Sequence, residues 1–323
     1  MSLYSTSENT PLVSVVVPVY NGDKYFEKCL ESIKNQTYTH WECIINNNCS
    51  TDQTLEIANL YANRDKRFKV YSNDTFVKMV TNWNIACSRI SNEAKYIKVL
   101  GADDWLFPES LEKMIAVMEN NPRVGVCSSY RLNDKRVDMD GLNIWDGNVY
   151  DGKRMLYDQL TKKIDISGSN STVLFATAYI KKLPRYPKVF DNATYHQDTE
   201  LVYDMMNISD VGFVFQVLSY TRRHEKAHTS TEGTRHKTLF QLKEKVLWLY
   251  KGNDPLLNRM YRSVRREYAY FLLMKTVAGN SKTVDWHRNY IVRKFNFEEY
   301  LYGLLFFNRL SRLLRKLYKR ILH

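Results

Sequence analysis

Tyr96-Ile97-Lys98-Val99-Leu100-Gly101-Ala102-Asp103-Asp104 is a short, largely apolar run that ends in two carboxylates. A run of this length and composition reads as a buried strand, with the acids at its C-terminal end. In an open α/β sheet that edge is where ligands bind. Adjacent like charges repel, and neither gains by burial unless a cation is shared between them. Two oxygen-rich side chains in a row suit Mn²⁺ or Mg²⁺, with phosphate oxygens and water completing the shell. Asp-Asp pairs also occur in ordinary exposed loops, so the surroundings of the pair carry the weight.

Upstream, strands and helices alternate. Residues 13–17, Val-Ser-Val-Val-Val, are short and β-branched and read as a strand ending at Pro18. Residues 23–34 read as a helix with Phe26, Leu30 and Ile33 on one face. A second strand is expected over 41–45, and Ser50-Thr51-Asp52 opens a second helix in which Ser50 or Thr51 caps. A strand over 68–71 and a helix over 77–89 follow, and another helix starts after the acids at Pro108. Strands separated by helices of this length imply a parallel sheet with right-handed crossovers. The expected fold class is therefore α/β, a mostly parallel central sheet flanked by helices. Residues 133–150 read as loops or a short hairpin, 164–220 mix short apolar runs with polar turns, and 237 to about 278 reads as helical.

The chain has 323 residues, 44% of them hydrophobic, which supports a sizeable core and argues against global disorder. The formal net charge of +12 points to an anionic partner: nucleic acid, a phosphorylated ligand or a membrane surface. Cys29, Cys43, Cys49, Cys87 and Cys127 are dispersed without metal-type spacing, which fits a reducing compartment and no disulfide framework. Residues 1–9 are polar, so no secretory leader is expected, and no apolar stretch reaches the roughly 18 residues of a membrane span.

Residues 300–323 differ in kind. They hold Arg309, Arg312, Arg315, Lys316, Lys319 and Arg320 and no acid. On a helix these cations cover an arc of roughly 140° at about 100° per residue. Leu310, Leu313, Leu314, Leu317 and Ile321 lie opposite. A basic face backed by an apolar face is the pattern of a helix lying in an anionic membrane interface. A terminal helix docked on its own domain shows a similar pattern; the one-signed charge favours the membrane, and no nucleic-acid partner is expected.

Several motifs fall in order: Pro18-Val19-Tyr20-Asn21, then Asn47-Asn48-Cys49-Ser50-Thr51-Asp52, then Asn84, then Gly101-Ala102-Asp103-Asp104. Their sequence resembles the nucleotide-binding half of family 2 glycosyltransferases of the GT-A fold. Gln197-Asp198-Thr199-Glu200-Leu201 looks like the family's Glu-Asp segment near the acceptor, and Tyr220-Thr221-Arg222-Arg223-His224 like its later Tyr/Arg/His stretch. The resemblance covers roughly 12–230 and is strongest over 12–120. It implies a GT-A domain over 1–235, with a nucleotide-binding part over about 12–125 and an acceptor part over about 126–235. A helical C-terminal extension over 236–323 would follow.

The resemblance implies inverting, metal-dependent transfer of a sugar, of hexosyl or N-acetylhexosaminyl type, from a nucleotide-diphosphate donor to an acceptor hydroxyl. UDP-sugars are the favoured donors, and the acceptor is a glycan or lipid-linked sugar in surface polysaccharide or glycolipid synthesis. The expected setting is cytoplasmic, peripheral on the inner face of the cell membrane through residues 300–323. Pro18, Tyr20, Asn21, Asn47, Asn84, Asp103 and His224 are implied as donor-binding residues, and Asp103 and Asp104 as ligands of Mn²⁺ or Mg²⁺. Asp198 is implied as the base that takes the acceptor's proton, with Glu200 as the runner-up.

Three positions depart from the family pattern. Asn47 stands where an acid is usual; its amide still accepts a hydrogen bond but can also donate, which leaves the base preference open. Gly101 replaces the first acid of an Asp-Xaa-Asp-Asp pattern, and Gln197 replaces an acid beside Asp198. These departures motivate an alternative, a non-catalytic nucleotide-sugar or glycan-binding protein on the same fold.

Overall fold

The computed structural model describes residues 10–133, 136–138, 142, 147–161, 164, 166, 169–190, 196–222, 242–277, 279 and 293–301. The chain divides into two compact units, residues 1–192 with 197–227, and residues 193–196 with 228–323.

The first unit is built on one mixed sheet. Its first four strands are β1 (Leu12–Val19), β2 (Trp41–Asn47), β3 (Phe68–Ser72) and β4 (Ala94–Val99). They pair parallel, β2 with both β1 and β3, and β4 with β1. Helices α1 (Asp23–Lys34), α2 (Thr54–Arg64) and α3 (Met79–Cys87) connect them. Beyond the acids come β5 (Trp105–Leu106), α4 (Ser110–Glu119), β6 (Val124–Asn133), β7 (Arg136–Asp138) and β8 (Val149–Tyr150). The last elements of this unit are α5 (Gly152–Leu160), β9 (Leu174–Ala176), α6 (Thr177–Ile180), α7 (Gln197–Ile208) and β10 (Asp210–Thr221).

The strand order is β3-β2-β1-β4-β9-β6-β10-β5. The short β9 runs antiparallel to both β4 and β6, so those two point the same way, and β10 is parallel to β6. The C-terminal ends of β1, β2, β3, β4, β6 and β10 therefore share one edge. The order reverses between β1 and β4, and such a switch point opens a ligand crevice between the flanking loops. Asp103 and Asp104 follow β4 there, opposite Tyr20 and Asn21 after β1.

The elements form for ordinary reasons. Val13, Val15, Val17 and Val19 of β1 face a core shared with Phe26, Leu30 and Ile33 of α1. Pro18 is buried within β1. Its missing N–H faces the β4 side, where β4 has already ended opposite Val16, so no ladder bond is lost. Where 133–150 is expected to hold loops or a short hairpin, the end of β6 (Arg131 to Asn133) pairs antiparallel with β7.

Two expectations need correction. The second helix begins at Thr54 and not at Ser50, because the Ser50 and Thr51 side chains bond to Asn21 of the preceding turn. Asp52 instead accepts from the Thr54 N–H at 3.0 Å. The stretch expected to be helical from 237 to about 278 is, among the described residues, two helices: residues 242–250 are helical and α8 (Pro255–Val277) starts afresh. Gly252 adopts φ +43 between them, and the Asp254 carboxylate accepts from the Leu257 N–H at 2.8 Å with Pro255 in the first turn.

Both units bury charge. Lys98, inside β4, is 0% exposed, with its ammonium 3.7 Å from Met114 Sδ. Burial pushes its pKa down to about 7. In the second unit Arg265 of α8 is buried against Glu244 at 2.9 Å and Glu299 at 2.6 Å. It also donates to the carbonyls of Arg293 and Lys294. The five cysteines are free thiols, and among the described residues no helix is long and apolar enough to cross a membrane.

Candidate active site

The carboxylate corner is assembled from three strand ends. After β4 the chain turns, with the Asp104 N–H donating to the Gly101 carbonyl at 3.0 Å. Asp104 is 6% exposed. One of its oxygens accepts from the Ser171 hydroxyl and the other from the Arg222 N–H at 2.9 Å. Ser171 lies in a 3-10 turn, Asn170–Thr172, and its hydroxyl also receives the Gly101 N–H at 3.2 Å. Ser169 closes that turn against Thr221 at the end of β10. Burial, and then the neighbouring Asp103 charge, push the Asp104 pKa up to about 7 against the pull of these two donors. Asp103 is half-buried.

Gly101, the departure from the family pattern, keeps the corner open. A Cβ there would lie 3.1 Å from one oxygen of each carboxylate. Both acids thus face the same small space.

The loops after β1 and β2 are tied together. Asn21, at φ +48, accepts from the Thr51 N–H at 2.8 Å, and its own N–H donates to the Ser50 hydroxyl at 3.0 Å. Behind them lies a cluster of amides: Asn46 donates to Asn73 and Asn82, and Asn73 donates to Asn48 and Asn82. Asn47 is 2% exposed; its carbonyl oxygen accepts from the Ser50 N–H and its NH₂ donates to Ser72. The Asn47 amide therefore holds the loop. The aromatic surface that this edge does present is Tyr20, 49% exposed, packed edge-on against Phe76, 61% exposed, with centroids 4.8 Å apart.

A wall of rings and cations stands beside Asp104. Trp105 stacks flat on Tyr220 at 3.7 Å and 7°. The Lys28 ammonium lies 3.4 Å over Trp105, and the Arg222 guanidinium 3.8 Å over Tyr25. The resemblance pointed to the 220–224 stretch; it did not point to Lys28 or Tyr25, which face this wall from α1.

Asp198 is half-buried at the start of α7, with one oxygen accepting from the Thr199 N–H at 2.8 Å. Glu200 is buried, as is Gln197, so the acid on this turn that reaches the surface is Asp198. Asn84 turns its amide onto the main chain of Val189 and Phe190, three bonds at 2.9 Å each. In doing so it pins α3 to the segment that leads toward α7. His224 and residues 302–323 lie outside the described residues.

Sequence reasoning missed Ser171 and Asn170. Asn170 is buried, and neither atom of its amide has a hydrogen-bond partner. The signal was the polar run Ser169-Asn170-Ser171-Thr172 set between apolar stretches, which reads equally well as an ordinary turn.

The donor set fits a hard divalent cation. Two carboxylates face one space that a Cβ would fill, and one has a raised pKa that a cation would relieve. Among the described residues no group of three or more His, Cys, Asp or Glu gathers to hold a metal. A site of one or two carboxylates completed by substrate phosphates is the usual arrangement for Mg²⁺.

The sequence model of glycosyl transferase family 2 matches residues 14–177, half of the chain, and the chain belongs to that family. An uncharacterized glycosyltransferase of Haemophilus influenzae is 37% identical over 123 residues, covering 38% of each chain. The chain spans 38%, 34% and 50% of the length of three such curated relatives. The structure of S. aureus TarS 1–349 in complex with UDP-GlcNAc superimposes with a TM-score of 0.59 at 16% identity, over 88% of this chain and 93% of that one. The mannosyltransferase PcManGT of Pyrobaculum calidifontis, in complex with GDP-Man and Mn²⁺, gives 0.57 at 16% identity, over 97% and 83%. At such identities the likeness is one of fold, and the fold is GT-A.

Proposed function

We propose that this chain is an inverting glycosyltransferase that moves a sugar from a nucleoside-diphosphate donor, with UDP-sugars favoured, to an acceptor hydroxyl in surface polysaccharide or glycolipid synthesis. The observation that carries the reading is the carboxylate corner at the switch point, with Asp103 and Asp104 converging on a space kept open by Gly101. Structural neighbours solved with UDP-GlcNAc and with GDP-Man and Mn²⁺ support a nucleotide-sugar donor and a divalent cation.

Asp103 and Asp104 would hold the cation. When bound, it offsets the charge that grows on the diphosphate as the glycosidic bond breaks. Asp104 is the anchored member, fixed by Ser171 and the Arg222 N–H; Asp103 is the more accessible. Tyr20, backed by Phe76, offers a face to the base. The Asn47 amide positions the Ser50-Thr51 loop beneath it. Lys28 and Arg222 add positive charge at the corner. An Asp198 oxygen accepts the proton of the acceptor hydroxyl as that oxygen attacks the anomeric carbon. The first turn of α7 and the Thr199 N–H fix its position.

The test is nucleoside diphosphate release from UDP-, dTDP-, GDP- and CDP-sugars with Mn²⁺, in wild type and in Asp103→Ala. Release that the variant loses supports the reading. Donor binding with no release from any of them leaves the non-catalytic alternative. The peripheral-membrane role of residues 300–323 rests on the sequence pattern, and flotation with anionic liposomes before and after truncation near Tyr300 tests it.

A further inference from the structure

The second compact unit carries a pocket of about 290 Å³. Three stretches of chain line it: Trp248 and Lys251 from the end of the 242–250 helix and the turn after it, Tyr261, Arg262 and Arg266 from α8, and Arg293 from the last described segment. Four of these six are cations. Arg262 and Arg266 sit one turn apart on α8, a spacing at which like charges destabilise a helix.

Two carboxylates, Glu298 and Glu299, also reach the wall. Glu299 is already committed. Its oxygens accept from Arg265 Nε at 2.6 Å and Nη2 at 2.8 Å, and from the Asn296 N–H at 2.9 Å. The buried Arg265 takes Glu244 as well. Glu299 thus neutralises a charge beneath the pocket, and with both wall carboxylates counted against four cations the lining keeps a positive balance.

The cations are also held in place. The Lys251 ammonium lies 5.0 Å from the Trp248 ring centroid and 5.6 Å from that of Tyr261, so part of the entropy of fixing it is already lost. Arg265 grips the Arg293 carbonyl at 2.7 Å and fixes the backbone from which the Arg293 side chain departs. Guanidinium forks match tetrahedral oxyanions, to which they donate paired hydrogen bonds. The volume is at the small end for small-molecule sites, room for one compact group against Trp248 and not for a polymer.

We propose that this pocket binds a phosphoester group, carried on a soluble sugar phosphate or on a lipid headgroup. The inference goes beyond the transfer reaction and uses no residue of the carboxylate corner.

The experiment uses the full chain. Glucose 6-phosphate and glycerol 3-phosphate are titrated calorimetrically, with glucose as the neutral control, against wild type, Arg262→Gln and Arg293→Gln. In parallel the same proteins are sedimented with phosphatidylglycerol vesicles. Residues 302–323 carry six basic side chains and are themselves proposed to bind anionic membranes, so this arm is read only as the difference between proteins. Each variant should weaken binding to at least one probe by about tenfold or more, the effect expected for a lost charge-assisted pair. A loss with the soluble esters assigns a free sugar phosphate, and a loss with vesicles alone assigns a headgroup. Arg262 and Arg293 are exposed, so both variants should keep the wild-type unfolding temperature. Trp248 fluorescence, identified by its loss in Trp248→Phe, reads the same titration independently. Absence of binding to every probe overturns the proposal, as do wild-type affinity in both variants or equal binding of glucose. Nucleoside diphosphate release by the same variants keeps this result separate from the fate of the transfer reading.

Discussion

Two polar clusters share the C-terminal edge of the sheet, and they are built on opposite principles. Behind the β1 and β2 loops, the Asn46 and Asn73 amides donate to the amide oxygens of Asn48, Asn73 and Asn82, and the Asn48 and Asn82 amides donate to backbone carbonyls. Each amide has both kinds of group, so a buried set can be nearly saturated within the protein and hold a fixed shape. At the end of β4, Asp103 and Asp104 carry only acceptors once ionised, and neither can satisfy the other. The protein supplies Asp104 with two donors, yet burial and Asp103 still lift its pKa to about 7. The amide cluster reads as scaffold, and the carboxylate corner as a site completed from outside.

That contrast breaks most sharply under substitution of the acids. Asp103→Ala should lower nucleoside diphosphate release by about 10²–10³-fold, the usual loss when a group facing developing charge is removed. Asp198→Asn should lower transfer to an acceptor by about 10²–10⁴-fold while donor affinity stays near wild type. Neither should lower the unfolding temperature. Full activity in either variant would reassign that residue, and a large fall in stability would make the corner scaffold after all.

Lys98 sharpens the comparison from the other side, as a buried charge with neither amide partners nor an external ligand. Its pKa falls from 10.5 to about 7 on burial. Between those values the unfolded chain binds more protons than the native one, so stability rises with pH from 7 to 10.5 and is flat below 7. Lys98→Met should stabilise the protein at pH 7 by about 2–4 kcal/mol, with the gain fading toward pH 10. Denaturant titrations of both proteins at pH 7 and pH 10 check it; an equal gain at both would mean that the lysine is paired. Removing one member of the amide cluster has the opposite sign. Asn82→Ala removes one of the two acceptors of each of the Asn46 and Asn73 amide groups and should cost about 1–3 kcal/mol at any pH.

The parallel half of the sheet was legible because each strand is a short β-branched or apolar run and each crossover helix has a clean apolar face, as with Phe26, Leu30 and Ile33. The carboxylate corner was legible as well, since Asp103 and Asp104 are adjacent in sequence. Its other walls were not. Ser171 and Arg222 meet Asp104 only through the placement of β9 and β10, Lys28 meets Trp105 only because α1 packs on β5, and no local pattern records a contact between residues 104 and 222. The role of Asn47 was hidden for a related reason: a Ser50 N–H and a Ser72 hydroxyl take up its amide, and only the second depends on β2 lying beside β3. The break at Gly252 was present in the composition, but the helical pattern on either side obscured it.

The smallest expected effect separates the two clusters most cleanly, because it uses the acid that the protein itself anchors. Asp104 has a folded pKa of about 7 against an ordinary 3.8. Between those values the native state binds more protons than the unfolded chain, so its contribution falls as pH rises from 4 to 7 and is flat above. Asp104→Asn keeps an acceptor for the Arg222 N–H and removes the charge. The variant should match wild type near pH 4 and exceed it by about 1–2 kcal/mol at pH 8. Mn²⁺ should then reverse the order. A cation bound between Asp103 and Asp104 stabilises wild type in proportion to its occupancy, whereas a neutral amide at 104 weakens that linkage. Thermal unfolding of both proteins at pH 8, with and without Mn²⁺, gives the sign directly. A variant that gains as much from Mn²⁺ as wild type would place the cation on Asp103 alone and leave Asp104 as part of the scaffold, beside the asparagines.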